Sequence, residues 1–187
     1  MTQTPRDHHQ EFYASIALAI GQWTHVEDAL CAVYLIAIGL YDRNAPPHHT
    51  APASAAFHSV VSSDAKAQMA NTAISLHFMF KGGDESERLR QEWDVLFKRV
   101  GQRQRARNQL AHFQTLIQPL ESSERQFTLR PQIMDPGLLL KYQSEKDLPV
   151  FRAHDLEQIR RSFGRLSQDV RSFTENLVNA AKTPEEN

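Results

Sequence analysis

Apolar residues recur at steps of three and four along the first part of the chain. Phe12, Ile16, Ile20, Trp23, Val26, Leu30, Val33 and Ala37 form one stripe, and Gln22, Thr24, His25 and Asp28 fall mostly on other faces. This spacing predicts a helix from Asp7 to about Tyr41. Its second half is apolar nearly all round, which implies burial on several sides. Pro46, Pro47 and Pro52 cannot continue it, so Asp42 to Pro52 reads as a connecting loop.

A second helical region spans about Ala53 to Phe80, with Phe57, Val60, Val61, Ala65, Met69, Ala73, Leu76 and Phe80 as its apparent stripe. Ser62-Ser63-Asp64 divides it, with Ser63 as the expected cap. Lys81-Gly82-Gly83 ends it. A third helix runs from Asp84 to about His112, acidic in its first turns and basic in its last, the order that a helix dipole favours. Leu89, Trp93, Leu96, Phe97 and Val100 are its apolar face.

The period then shortens. Phe113, Thr115 and Ile117, then Phe127, Leu129, Gln132 and Met134, lie in two runs of strand-forming residues. With Glu121-Ser122-Ser123-Glu124 between them they read as a β-hairpin over 113–134. Asp135-Pro136-Gly137 reads as a turn and Leu138 to Tyr142 as one helical turn. A last helix is expected from His154 to Lys182, followed by a frayed tail over 183–187. The expected fold is all-α, a four-to-five-helix bundle in a single domain over 1–187, with a hairpin between the third and last long helices.

Composition narrows the function classes. The net charge is −1, with 41% hydrophobic and 23% charged residues, so a uniformly basic nucleic-acid coat is excluded. Arginine nevertheless supplies most of the 21 basic residues. The longest apolar run, Ala29 to Tyr41, is too short to cross a bilayer, and no membrane partner is expected. Cys31 stands alone, which excludes an internal disulfide and a cysteine-based metal site. The polar first ten residues lack the apolar core of a secretory signal. A cytoplasmic location is the expectation.

Several helix-bundle chemistries drop out by spacing. No Glu is followed by His at the di-iron interval, no two histidines lie three or four apart, and no glycine-rich phosphate loop precedes a helix. No metal and no cofactor is expected. What remains is Arg107-Asn108-Gln109-Leu110-Ala111-His112, at the end of the third helix. Arg43-Asn44-Ala45-Pro46-Pro47-His48 repeats the spacing, but in a proline loop where no helix fixes the side chains. Context separates the two.

The run from Arg107 to His112 resembles the Arg-(four to six residues)-His motif of the HEPN superfamily, in which a polar residue often follows the Arg. The resemblance implies a helical bundle, commonly dimeric, and a metal-independent endoribonuclease of the kind found in toxin–antitoxin and anti-phage systems. It implies RNA as substrate and a protein antitoxin or partner. His112 is then the general acid or base, since imidazole titrates near neutral pH. Arg107 stabilises charge on the scissile phosphate, and Asn108 orients His112 or the phosphate. One His cannot easily serve as both acid and base, so a homodimer pooling two motifs in one composite site is expected. A HEPN subclass paired with a nucleotidyltransferase antitoxin has Tyr two residues after the His; Gln114 stands there, so that modification is not expected.

The basic run Lys98, Arg99, Arg103, Arg105 and Arg107 contains no acid. Lys98, Arg103 and Arg105 are the expected RNA contacts. The same residues also suit an ordinary helix C-terminus, with Arg107 and Asn108 solvating the last turn and His112 bonding a carbonyl. The alternative function is therefore a catalytically inactive HEPN-like module for dimerisation or partner binding.

Overall fold

The computed structural model describes residues 5–41, 47–119, 125–131 and 149–180. It is mostly helical, with one two-stranded antiparallel hairpin, which is the expected all-α class with a hairpin insertion. The helices are α1 (Pro5–Ala37), α2 (Ala51–Ser59), α3 (Ser63–Lys81), α4 (Gly83–His112) and α5 (Ala153–Ala180). A 3-10 turn, Pro47–His49, precedes α2. The strands β1 (Gln114–Pro119) and β2 (Arg125–Arg130) lie between α4 and α5.

Helix boundaries differ from the sequence expectation where glycine chemistry intervenes. α1 stops at Ala37, short of Tyr41, because Gly39 takes φ +75°. The Leu40 N–H then reaches back to the Leu35 carbonyl and the Gly39 N–H to that of Ile36, both at 2.9 Å. These two bonds satisfy the last carbonyls of the helix. The junction of α3 and α4 uses Gly82 and Gly83 together, both at positive φ, which lets the chain reverse within two residues.

The break between α2 and α3 falls where expected, but the capping residue is Ser62 rather than Ser63. The Ser62 hydroxyl accepts from the Ala65 N–H at 3.3 Å. Ser63 is instead buried and donates to Glu27. The expected stripe of α3 is also displaced. Ala67, Ala70, Ile74 and Phe78 are buried, whereas Leu76 and Phe80 are exposed, and Val61 in the preceding link is 95% exposed. Both faces of α3 carry apolar residues, so spacing alone does not distinguish inner from outer.

The expected linker residues 42–46, the hairpin loop 120–124, the strand end at 132–134, the turn at 135–137, the helical turn at 138–142 and the tail 183–187 lie outside the described residues.

The chain divides into two compact units. The larger holds Thr24–Gln104 and Phe163–Asn187. Its core is aromatic: Trp93 is fully buried and its ring lies 5.3 Å from Phe173 and 6.0 Å from Phe97. The Trp93 indole N–H donates to Asn71 Oδ1 at 2.9 Å, as a buried indole requires. The smaller unit holds Met1–Trp23 and Arg105–Ser162. There Phe12 of α1 packs on Phe127 of β2, and Leu129 of β2 forms a bridge with Phe151. Leu110 and Leu156 are buried in the same unit. Among the described residues no helix is long and apolar enough to cross a membrane.

In the larger unit His77 of α3 is held below the ordinary histidine range near 6.5, first by burial and then by Lys81 one turn on, against a hydrogen bond to the Ala37 backbone. The folded state therefore favours the neutral ring. Its contribution to stability is complete above the unfolded value and is lost as pH falls through the lower folded value. Thermal melts between pH 8 and pH 5 should show wild type losing more stability on acidification than His77→Gln.

Candidate active site

The candidate residues occupy the last turns of α4. The helix closes at His112, where the Phe113 N–H donates to the Gln109 carbonyl at 2.9 Å, and β1 starts at Gln114. Asn108 and His112 are both exposed, and Arg107 is partly buried. The Arg107 Nη1 donates to Asn108 Oδ1 at 3.3 Å. The Arg107 Nε is buried and has no hydrogen-bond partner among the described residues.

Helix geometry arranges the rest. At about 100° per residue, Asn108 and His112 lie within about 40° of each other and Arg105 about 20° beyond His112. These three candidate residues share one outward side. Arg107 lies about 140° from His112. Lys98 and Arg103, farther back on α4, belong to the larger unit. The structure thus couples Arg107 to Asn108, and it leaves Arg107 and His112 on different sides of one helix.

The charges on α4 separate into engaged and available groups. In its first half Glu85 binds Arg88 and Glu87 binds Arg90, each at three-residue spacing with N···O distances of 2.7 and 2.8 Å. The bonds from Arg90, then Gln91, hold the Glu87 carboxyl down to about 2. Arg99 is likewise taken, by Asp169 of α5 at 2.6 Å. On α5, Glu157 binds Arg160 and Arg161 at 2.7 Å and is itself held down to about 2. Lys98, Arg103, Arg105 and Arg107 differ: among the described residues no carboxylate lies within 4.0 Å of them. The cause is local, because 98–107 contains no acid to supply a partner one turn away.

Trp23 and Trp93 are core residues, each at most 2% exposed. Among the described residues no three His, Cys, Asp or Glu side chains are grouped to hold a metal ion. His9 packs against Tyr13 and Phe127, and His48 lies 4.6 Å from His49, ring to ring.

One polar cluster was not anticipated from the sequence. Glu27 of α1 accepts from Lys66 Nζ at 2.5 Å and from the Ser63 hydroxyl, with the lysine 10% and the glutamate 12% exposed. The available signal was Glu27 itself, an acid between the core positions Val26 and Leu30. Nearby, Cys31 Sγ contacts Ser54 Oγ at 3.7 Å, and burial pushes its thiol up.

No protein-family model, no curated protein and no solved structure matches the chain.

Proposed function

We propose that this chain is a metal-independent endoribonuclease of the HEPN type, acting on RNA in the cytoplasm as a homodimer. The observation that supports it is the basic end of α4. Lys98, Arg103, Arg105 and Arg107 lack carboxylate partners among the described residues, while the neighbouring Arg99 is neutralised by Asp169. Cations without acidic partners are what a phosphate backbone recruits. The exposed His112 closes the same helix.

In this reading one imidazole removes the proton of an RNA 2′-hydroxyl, and the freed oxygen attacks the adjacent phosphorus. The bond to the 5′-oxygen breaks, and that oxygen takes a proton from the second imidazole. Arg107 faces the charge that accumulates on the phosphoryl oxygens. Asn108 holds Arg107 through its side-chain carbonyl, so it positions the arginine in place of His112. The two imidazoles come from two copies, because each copy carries one motif. Arg107 lies about 140° around the helix from His112, so it meets the His112 of the other copy more directly than its own. The products are a 2′,3′-cyclic phosphate and a 5′-hydroxyl. A toxin or anti-phage role, restrained by a protein antitoxin, is the setting this chemistry implies.

A second reading has its own observation. Arg107 is partly buried with its Nε enclosed, as in a side chain that holds the end of α4 in place. A catalytically silent HEPN-like module that dimerises or docks a partner uses it so. End-group analysis separates the two. RNA incubated with the protein in EDTA yields cyclic-phosphate termini under the first reading. Under the second it stays intact, and His112→Ala is tolerated in partner binding.

A further inference from the structure

The hairpin leaves one strand edge open. β2 faces inward: Phe127, Thr128 and Leu129 are buried, and Leu129 exchanges two backbone hydrogen bonds with Phe151, at 2.9 and 3.0 Å. β1 pairs only with β2 in the two-stranded sheet, through an unbroken register from Gln114↔Arg130 to Pro119↔Arg125. Its far edge presents backbone N–H and C=O groups with no strand beside them among the described residues. Leu116 is 37% exposed and Ile117 50%. These neighbours point to opposite faces, so β1 is open on both sides as well as along its edge.

Edge strands are ordinarily guarded by lysine, by inward charges or by bulges. From Phe113 to Leu120 the chain has no charged residue, and the paired register has no bulge. Pro119 interrupts only the last position.

We propose that the free edge of β1 is a docking surface for a second copy of this chain. The two β1 strands pair antiparallel about a two-fold axis, and the hairpins join into a four-stranded sheet. Symmetry and charge choose the occupant. A two-fold interface sets the same residues against one another, and like charges placed opposite oppose such pairing. β1 carries none, so its Gln, Thr, Leu and Ile side chains meet their counterparts without repulsion. The gain falls on β1, which pairs with a strand on one side only among the described residues.

The inference rests on the homodimer of the proposed function and assigns its surface, and its register bears on catalysis. Pairing centred on Gln114 sets the two Gln114 side by side, each two residues past its His112, whereas pairing centred on Leu116 separates them by four strand steps, about 14 Å. Only the first keeps both His112 near one phosphodiester.

Light scattering on the full chain across a concentration series tests the docking. Wild type should have twice the 21.4 kDa chain mass, Leu116→Lys and Ile117→Lys should be monomers with unchanged helical circular dichroism, and His112→Ala should remain a dimer. Single variants Gln114→Cys, Thr115→Cys, Leu116→Cys and Ile117→Cys keep the assay informative if a lysine variant fails to fold. On oxidation the position nearest the axis crosslinks to itself, because opposed strand residues lie at disulfide distance. Wild type, whose one cysteine is buried, does not. A monomeric wild type at every concentration overturns the proposal. So does a dimer that survives both lysine variants without any self-crosslink. A dimer through β1 that leaves RNA intact supports the docking and removes the catalytic reading.

Discussion

Alanine at His112 is expected to slow RNA cleavage by about 10²- to 10⁴-fold, the range that a positioned acid or base supplies. Alanine at Arg107 should cost about 10²- to 10³-fold, as for other groups that stabilise a developing oxyanion. The two losses should differ in kind. His112 moves a proton, so its loss falls on the chemical step and changes the pH profile. Arg107 carries charge to the phosphate, so its loss weakens binding as well. Lys98→Ala and Arg105→Ala should mainly weaken binding, each lowering the salt dependence by about one unit of slope. Arg99→Ala is the internal control. Its guanidinium is held by Asp169 at 2.6 Å, so it should change RNA affinity far less than its neighbours. Single-turnover rates and RNA titrations at two salt concentrations separate these effects.

Replacing Lys66 with methionine is expected to destabilise the larger unit by about 3–5 kcal/mol, the usual loss when one partner of a buried ion pair is removed. Glu27 is 12% exposed and takes both the Lys66 ammonium and the Ser63 hydroxyl. Without the lysine, a carboxylate stays in a nearly dry site with the serine hydrogen bond to offset its lost hydration. Removing both charges is a different matter. Glu27→Leu combined with Lys66→Met should recover most of the stability, because two apolar side chains of similar volume need no hydration. Urea denaturation of the two single variants and the double variant measures this as a coupling energy. A double variant no more stable than Lys66→Met contradicts the account of the pair.

How much of this was legible in the sequence varies with the physics of each element. α4 is legible to its C-terminus at His112, because dipole-ordered charges and a strong apolar face agree along it. The hairpin is legible as two runs of strand formers with Glu121-Ser122-Ser123-Glu124 between them, and β1 and β2 overlap those runs. α3 misled because apolar residues occupy both of its faces. Leu76 and Phe80 fit a helical stripe as well as Ile74 and Phe78 do, and only packing distinguishes them. The Ser62–Ser63 choice was equally hidden, since either hydroxyl suits a cap and the difference lies in Glu27, 36 residues before Ser63. At the candidate site, residue types and spacing were legible, and so was the absence of acid from 98 to 107. The capture of Arg99 by Asp169 and the burial of the Arg107 Nε were not, because both depend on contacts remote in sequence or on packing.

The most direct measurement is the rate at which purified wild type and His112→Ala cleave the same RNA in EDTA. Wild type should cleave the RNA to ends bearing cyclic phosphates, and the variant should be slower by about two orders of magnitude or more. Wild type that leaves the RNA intact, or equal rates for the two proteins, contradicts the catalytic role of His112.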